Sequence, residues 1–275
     1  MNGFILVNKK KNMTSRDVVN SLIKILNTKK IGHTGTLDPF AEGLLLVAVN
    51  KGLKVVKLLN YKDKEYIAKV RLGIKTDTLD ITGNVLEEIK EDLNKEELEE
   101  VLQSFIGDYS YEVPIYSAIK VNGKKLYEYA REGKKVEIPI KDSYIYDIKL
   151  INIEENSFTF SVKVSNGTYI RALVRDISKK LNKIMTLEEL TRTKIDSLFT
   201  NESDSDNLTI IIPPEIMSIN PSFLEEFLFN IVNKLGKEKF YQKVKFSNNS
   251  ERYDINEDLE EAVDRILRAN NALTK

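Results

Sequence analysis

The stretch Gly32-His33-Thr34-Gly35-Thr36-Leu37-Asp38-Pro39-Phe40-Ala41-Glu42-Gly43 runs straight into Leu44-Leu45-Leu46-Val47-Ala48-Val49. The apolar run has the length and composition of a buried strand. The segment before it holds three glycines, two threonines able to bond backbone, and the chain's one histidine. Pro39 biases Asp38 towards extended geometry, away from a helix. A carboxylate on a glycine-shaped loop, anchored by a core strand, is held rigidly and stays accessible. Read alone, Asp38 fits a turn residue bonding its own backbone better than it fits a catalyst.

Working outward, Thr14 or Ser15 caps a helix whose apolar positions Val18, Val19, Leu22, Ile23 and Leu26 recur at helical spacing. Lys54 to Leu59 reads as a short helix. Tyr66 to Leu72 alternates as a strand ended by Gly73, with Tyr66 at its start. Asn94 with Glu97 opens a helix that runs to about Phe105. Ile145–Ile153 and Ser157–Val164 read as a strand pair joined by Glu154-Glu155-Asn156. Gly167-Thr168 leads into a helix from Tyr169 to Leu181, with Ile170, Leu173, Val174 and Ile177 on one face. Strands and helices interleave without a regular βαβ rhythm, which argues for an α+β fold. The polar stretch 201–207 reads as a linker, and Asn220–Leu235 and Asp254–Leu273 carry helical patterns.

The chain has 275 residues, 41% of them apolar, enough for one large domain with an appendage. No apolar stretch approaches the roughly 20 residues that span a bilayer. The N-terminal order, apolar residues before lysines, is the reverse of a signal peptide's. The absence of cysteine excludes disulfides and thiolate metal ligands, and one histidine weakens a transition-metal site. These readings point to a cytoplasmic, metal-free protein. The net charge of zero hides an asymmetry. Residues 1–75 carry 15 Lys+Arg against 5 Asp+Glu, and residues 201–275 carry 9 against 14. A basic N-terminal region suits a polyanion and equally suits a solvated surface.

The remaining motifs each have an ordinary reading beside the functional one. His33 reads first as a structural histidine, and Tyr66 as core or edge packing. Ser165-Asn166-Gly167-Thr168-Tyr169-Ile170-Arg171 is a strand-to-helix turn of the kind that binds anions. Arg171 there suits a phosphate or a carboxylate partner, whereas Arg175 and Asp176 read as surface. From Pro114 to Gly133, tyrosines including Tyr116 alternate with basic residues including Lys120, as in RNA-binding segments. The loop lacks the glycine-lysine-serine/threonine ending of a P-loop, and with Glu42 as its only other carboxylate it shows no evident glycosidase-type pair.

Taken in order, GHTGTLDP, KEYIAKVRLG with TDTLDITG, YSAIKVNGKKLYEYAREG, VSNGTYIRALVRDI and LTRTKI resemble the TruB-type tRNA pseudouridine-55 synthases over roughly Phe4 to Phe199. The resemblance implies a mixed, mainly antiparallel sheet flanked by helices, in a catalytic domain of residues 1–200 with an RNA-binding insertion at about 110–135. It implies isomerisation of uridine 55 in the T-arm loop of tRNA without a cofactor, and a monomer is expected. Asp38 matches the catalytic aspartate, which either attacks the sugar or removes a sugar proton. Arg171 matches its partner arginine, and Tyr66 the tyrosine that stacks on the flipped uracil. Tyr169 matches a second active-site tyrosine, and His33 a histidine that contacts the rearranged RNA loop. Thr36, Tyr116 and Lys120 complete the expected substrate-binding set. A non-catalytic tRNA-binding or tRNA-folding protein on the same fold is the alternative, and a base-removing glycosylase a further one.

The family's lysine-proline-x-glycine turn appears here as Lys9-Lys10-Lys11-Asn12, without its proline and glycine. Val113-Pro114 stands where two prolines are common. Residues 201–275 are acidic and helical in pattern, so the expectation is a small helical appendage and not a standard PUA domain.

Overall fold

Residues 3–50, 52–56, 60–198, 208–212, 221–248 and 254–273 are described by the computed structural model. They fall into two units, residues 1–63 with 192–275, and residues 64–191.

The first unit begins with β1 (Gly3–Lys9), α1 (Ser15–Leu26), β2 (Ile31–His33), β3 (Glu42–Val49) and α2 (Gly52–Val55). β3 is antiparallel to β1, Gly3 opposite Val49 and Lys9 opposite Gly43, and β2 pairs with it on the other side. Leu45, Val47 and Val49 bury against Val18, Val19 and Leu22 of α1. The alternate residues Leu46 and Ala48 bury with Phe4 and Ile195. Both faces of β3 are therefore covered, which is why its sequence is continuously apolar. α1 opens as the sequence predicts. Thr14 Oγ1 accepts the Asp17 N–H at 3.0 Å, and Asp17 Oδ2 accepts the Thr14 N–H at 2.9 Å. Such a cap contributes about 1 kcal/mol. At the turn that lacks proline and glycine, Asn12 takes φ 64° and donates its N–H to Pro39 O at 2.8 Å. Asparagine tolerates the left-handed region better than other non-glycine residues, so the turn survives the substitution.

The chain enters the second unit along β4 (Asn60–Leu72). It continues through β5 (Ile74–Thr76), β6 (Val85–Glu88), α3 (Lys95–Gln103), β7 (Gly107–Glu112), β8 (Lys120–Val121) and β9 (Lys124–Lys125). After α4 (Leu126–Arg131), β10 (Ile140–Glu154), β11 (Ser157–Ser165) and α5 (Ile170–Leu181), it leaves along β12 (Met185–Leu198). Within residues 64–191 the strand order is β12-β4-β11-β10-β7, with β10 antiparallel to both neighbours. Ile145, Ile148, Phe158, Phe160, Val162 and Val164 are buried, as are Leu98 and Leu102 of α3 and Leu173, Val174 and Ile177 of α5. The mixed, mainly antiparallel sheet with flanking helices is the fold class expected. Asn94 caps α3 by accepting the Glu97 N–H at 2.9 Å. Tyr66 lies in the middle of β4, not at its start, because the strand begins at Asn60.

Residues beyond 207 hold more than helices. β13 (Leu208–Ile212), α6 (Pro221–Lys243), β14 (Val244–Asn248) and α7 (Ile255–Leu273) form a strand–helix–strand–helix unit. β13 is parallel to β1 and β14 is parallel to β13. α6 breaks its helical geometry at Gly236, φ 71°. Leu228, Val232, Phe240, Ile255, Leu259, Val263 and Ile266 give this tail an apolar core of its own. The expected linker at 201–207, and the end of the expected helix at 57–59, lie outside the described residues. No described helix is long and apolar enough to cross a membrane.

Candidate active site

His33 ends β2 opposite Val47, and the Thr34 N–H still bonds to Leu46 O at 2.9 Å. The chain then leaves the sheet as the loop 35–41. Leu37, Phe40 and Ala41 are buried, so the loop is anchored by apolar side chains between its polar ones. Thr36 is exposed and Asp38 half-buried. The Ala41 N–H closes a turn on Asp38 O at 3.1 Å.

The loop's backbone is held from outside. Ser15 Oγ accepts the Leu37 N–H at 2.9 Å and donates to Leu37 O at 3.1 Å. Arg192 Nη2 donates to Thr36 O at 2.9 Å. Lys9 is 1% exposed. Its ammonium donates to Met13 O at 2.8 Å, Ala41 O at 2.5 Å and Pro39 O at 3.4 Å. Burial lowers the Lys9 pKa, with the charges of Asp38 and Glu42 opposing that shift. Gly43, at φ 102°, passes so close to β12 that a Cβ would stand 2.3 Å from Arg192 O. Burial also lowers the His33 pKa, and the charges of Arg16 and Arg192 add to the effect. His33 is therefore neutral near pH 7.

In the second unit, Arg171 lies in the first turn of α5 and is 4% exposed. Its Nη1 donates to Thr78 O at 2.9 Å and its Nη2 to Tyr116 O at 3.1 Å. Its Nε stands 3.8 Å from Asp80 Oδ2. Asp80 Oδ1 accepts from Thr78 Oγ1, Thr82 N–H and Thr82 Oγ1 at 3.0, 3.0 and 2.5 Å. Between them Leu79 adopts φ 66°, a left-handed conformation costly for leucine. Two hydrogen bonds to Leu187 hold it there, Leu187 N–H to Leu79 O and Ile81 N–H to Leu187 O.

Of the other expected residues here, Tyr116 donates its OH to Asp77 Oδ2 at 3.3 Å and is joined to Arg171 through its carbonyl. Tyr169 precedes Arg171 as the helix cap, and its N–H bonds to Tyr111 OH at 3.3 Å. Tyr111 in turn donates to Gly167 O at 2.9 Å. Tyr66 is 7% exposed on the face of β4 that also buries Lys64, and Lys64 donates to Asn166 Oδ1 at 2.5 Å. Lys120 is exposed on β8. Lys125 and Arg131 both lie over the Tyr127 ring, at 5.3 and 5.2 Å. Thus Thr36 and Asp38 share one loop of the first unit, and His33 ends the strand that leads into it. Arg171, Tyr169 and Tyr116 cluster in the second.

Arg175 and Asp176 are not the surface residues expected. Their side chains are each 17% exposed, and Asp176 bonds to both Arg175 and Tyr109. Helical periodicity cannot show that a polar face is covered by a neighbouring strand.

Residues 23–170 match the TruB family pseudouridylate synthase N-terminal domain. The tRNA pseudouridine synthase B of Caldicellulosiruptor saccharolyticus is 42% identical over 94% of this chain and 86% of its own length. That of Fusobacterium nucleatum is 46% identical over 71% and 68%. A solved Cbf5-Nop10-Gar1 complex superposes on 70% of this chain and 48% of its own, with TM-score 0.54 and 30% identity. The chain belongs to the TruB family.

As a TruB-family pseudouridine synthase, it presents the Asp38 loop within the matched span, which ends one residue before Arg171. The sequence reading gave no site role to four polar residues of this TruB-family chain: Lys9, Ser15, Asp80 and Arg192. Asp80 and Arg192 lie inside the stretches TDTLDITG and LTRTKI, whose polar spacing was the available signal. Lys9 and Ser15 bond to backbone carbonyls, which leave no mark in sequence.

Proposed function

We propose that the protein converts uridine 55 in the T-arm loop of tRNA to pseudouridine, with Asp38 as the reacting carboxylate. In this isomerisation the N1–C1′ bond breaks and a C5–C1′ bond forms. C5 loses its proton and N1 gains one, so atoms and electrons balance within the base and ribose. Asp38 acts at the sugar as nucleophile or as base, and both routes need it ionised. Arg171 serves as its counter-charge. Tyr66 and Tyr169 receive the flipped uracil. Aromatic stacking of about 1–3 kcal/mol offsets part of the few kcal/mol needed to extrude the base. His33, Thr36, Tyr116 and Lys120 bind the RNA, and the basic residues of 1–75 contribute phosphate contacts.

The observation that carries this reading is the Asp38 loop, whose backbone is fixed at Thr36, Leu37, Pro39 and Ala41 by buried groups from three other segments. The relatives' name, tRNA pseudouridine synthase B, supports the choice of substrate. The test is incubation with a transcribed tRNA and with its T-arm stem-loop, followed by mapping of pseudouridine. Modification at position 55 of both is expected. RNA bound without any pseudouridine, or free uracil released, would overturn the assignment.

A further inference from the structure

Three backbone atoms lead into Asp38, namely Thr36 O, Leu37 N–H and Leu37 O, and each bonds to a side chain from outside the loop. Ser15, the first residue of α1, holds the last two through one hydroxyl and is 3% exposed. Arg192 of β12 holds the first and is 1% exposed. At this burial neither side chain reaches a bound RNA, so any effect on the reaction passes through the loop.

The structure assigns Ser15 and Arg192 as positioning residues that set the Asp38 carboxylate by gripping the two peptide units before it. This rests on the reading of Asp38 as the reacting group. Peptide units are planar, so each adjoining residue has only two soft backbone torsions. With the 36–37 peptide held at both its oxygen and its nitrogen, and the 37–38 peptide held at its oxygen, the position of the Asp38 Cα is fixed. Pro39 restricts Asp38 itself to extended geometry. Beyond it the Asn12 N–H and Lys9 hold Pro39 O. A displacement of about 1 Å at a reacting group costs on the order of a hundredfold in rate. Ser15 also stands next to Thr14, which caps α1. The hydroxyl at 15 is therefore not needed to start the helix.

The experiment measures single-turnover pseudouridine formation and tRNA affinity for Ser15→Ala, Ser15→Thr, Arg192→Met and Arg192→Lys, with Asp38→Asn alongside. Thermal melting and the NMR titration of the sole histidine report folding and local charge. Ser15→Ala is expected to slow turnover roughly tenfold to a hundredfold at unchanged tRNA affinity. Ser15→Thr, which keeps the hydroxyl, recovers most of the rate. Arg192→Met lowers turnover and raises the His33 midpoint, and Arg192→Lys, which keeps a cationic donor, does less of both. If Arg192→Met fails to fold, the Ser15 pair decides alone. Native turnover in Ser15→Ala, or equal losses in Ser15→Ala and Ser15→Thr, overturns the assignment. An active Asp38→Asn would instead sink the reading of Asp38, which separates the two failures.

Discussion

Asp80 Oδ1 accepts three hydrogen bonds from Thr78 and Thr82 of its own loop, whereas the Asp38 loop is held through its backbone by Ser15, Arg192 and Lys9. The two aspartates thus illustrate two ways of fixing a carboxylate. Local donors stabilise the anion and occupy its lone pairs, which suits a group that supports a neighbouring guanidinium. Fixing the backbone sets the direction in which the side chain leaves the loop, which suits the reacting role proposed for Asp38. Position in a short aspartate-bearing loop therefore does not itself identify the catalyst.

The comparison breaks most visibly at Arg171. Arg171→Met removes the cation beside Asp80 and leaves the carbonyls of Thr78 and Tyr116 without a donor. Breaking a buried charge arrangement in this way costs about 3–5 kcal/mol, read by urea denaturation. A loss under about 1 kcal/mol would mean that the threonines alone support Asp80. Next comes Gly43→Ala, which tests how tightly the Asp38 loop is seated. The new Cβ meets Arg192 O at 2.3 Å and Arg192 N at 2.8 Å, on a residue at φ 102°. Backbone against backbone yields little, so a destabilisation of about 2 kcal/mol or more is expected in the same assay. An unchanged midpoint would show that the loop has room to move.

The smallest effect concerns His33, at the head of the loop. Burial, with Arg16 of α1 and Arg192 of β12, lowers its pKa below the ordinary 6.5. As pH falls through 6.5 the unfolded chain takes up the proton first. Stability from the neutral ring is thus complete above about pH 6.5 and is lost as pH falls towards the folded value. The NMR titration of this single histidine should have its midpoint below 6.5, and a midpoint at or above 6.5 contradicts the charge arrangement.

Much of this architecture is legible in the residues. The Thr14 cap with Val18, Val19 and Leu22, the run Leu44–Val49, and the pair β10 and β11 all carry strong local patterns. β13 and β14 do not. Each has five residues, and β13 pairs with β14 and with β1, the latter some two hundred positions away. The site divides in the same way. Asp38, Arg171 and Tyr66 stand in stretches with a family resemblance. The roles of Lys9 and Ser15 depend on backbone carbonyls brought near by folding, and Asn12 shows that a lost glycine need not mean a lost turn.

The central claim is that Asp38 reacts and Asp80 supports. Pseudouridine formation in a tRNA transcript, followed under single-turnover conditions for Asp38→Asn and Asp80→Asn, tests it most directly. Asp38→Asn should bind tRNA as the wild type does and lose more than about a thousandfold in rate. Asp80→Asn should fold less stably but keep measurable turnover. Turnover by Asp38→Asn at or above that of Asp80→Asn would contradict the account.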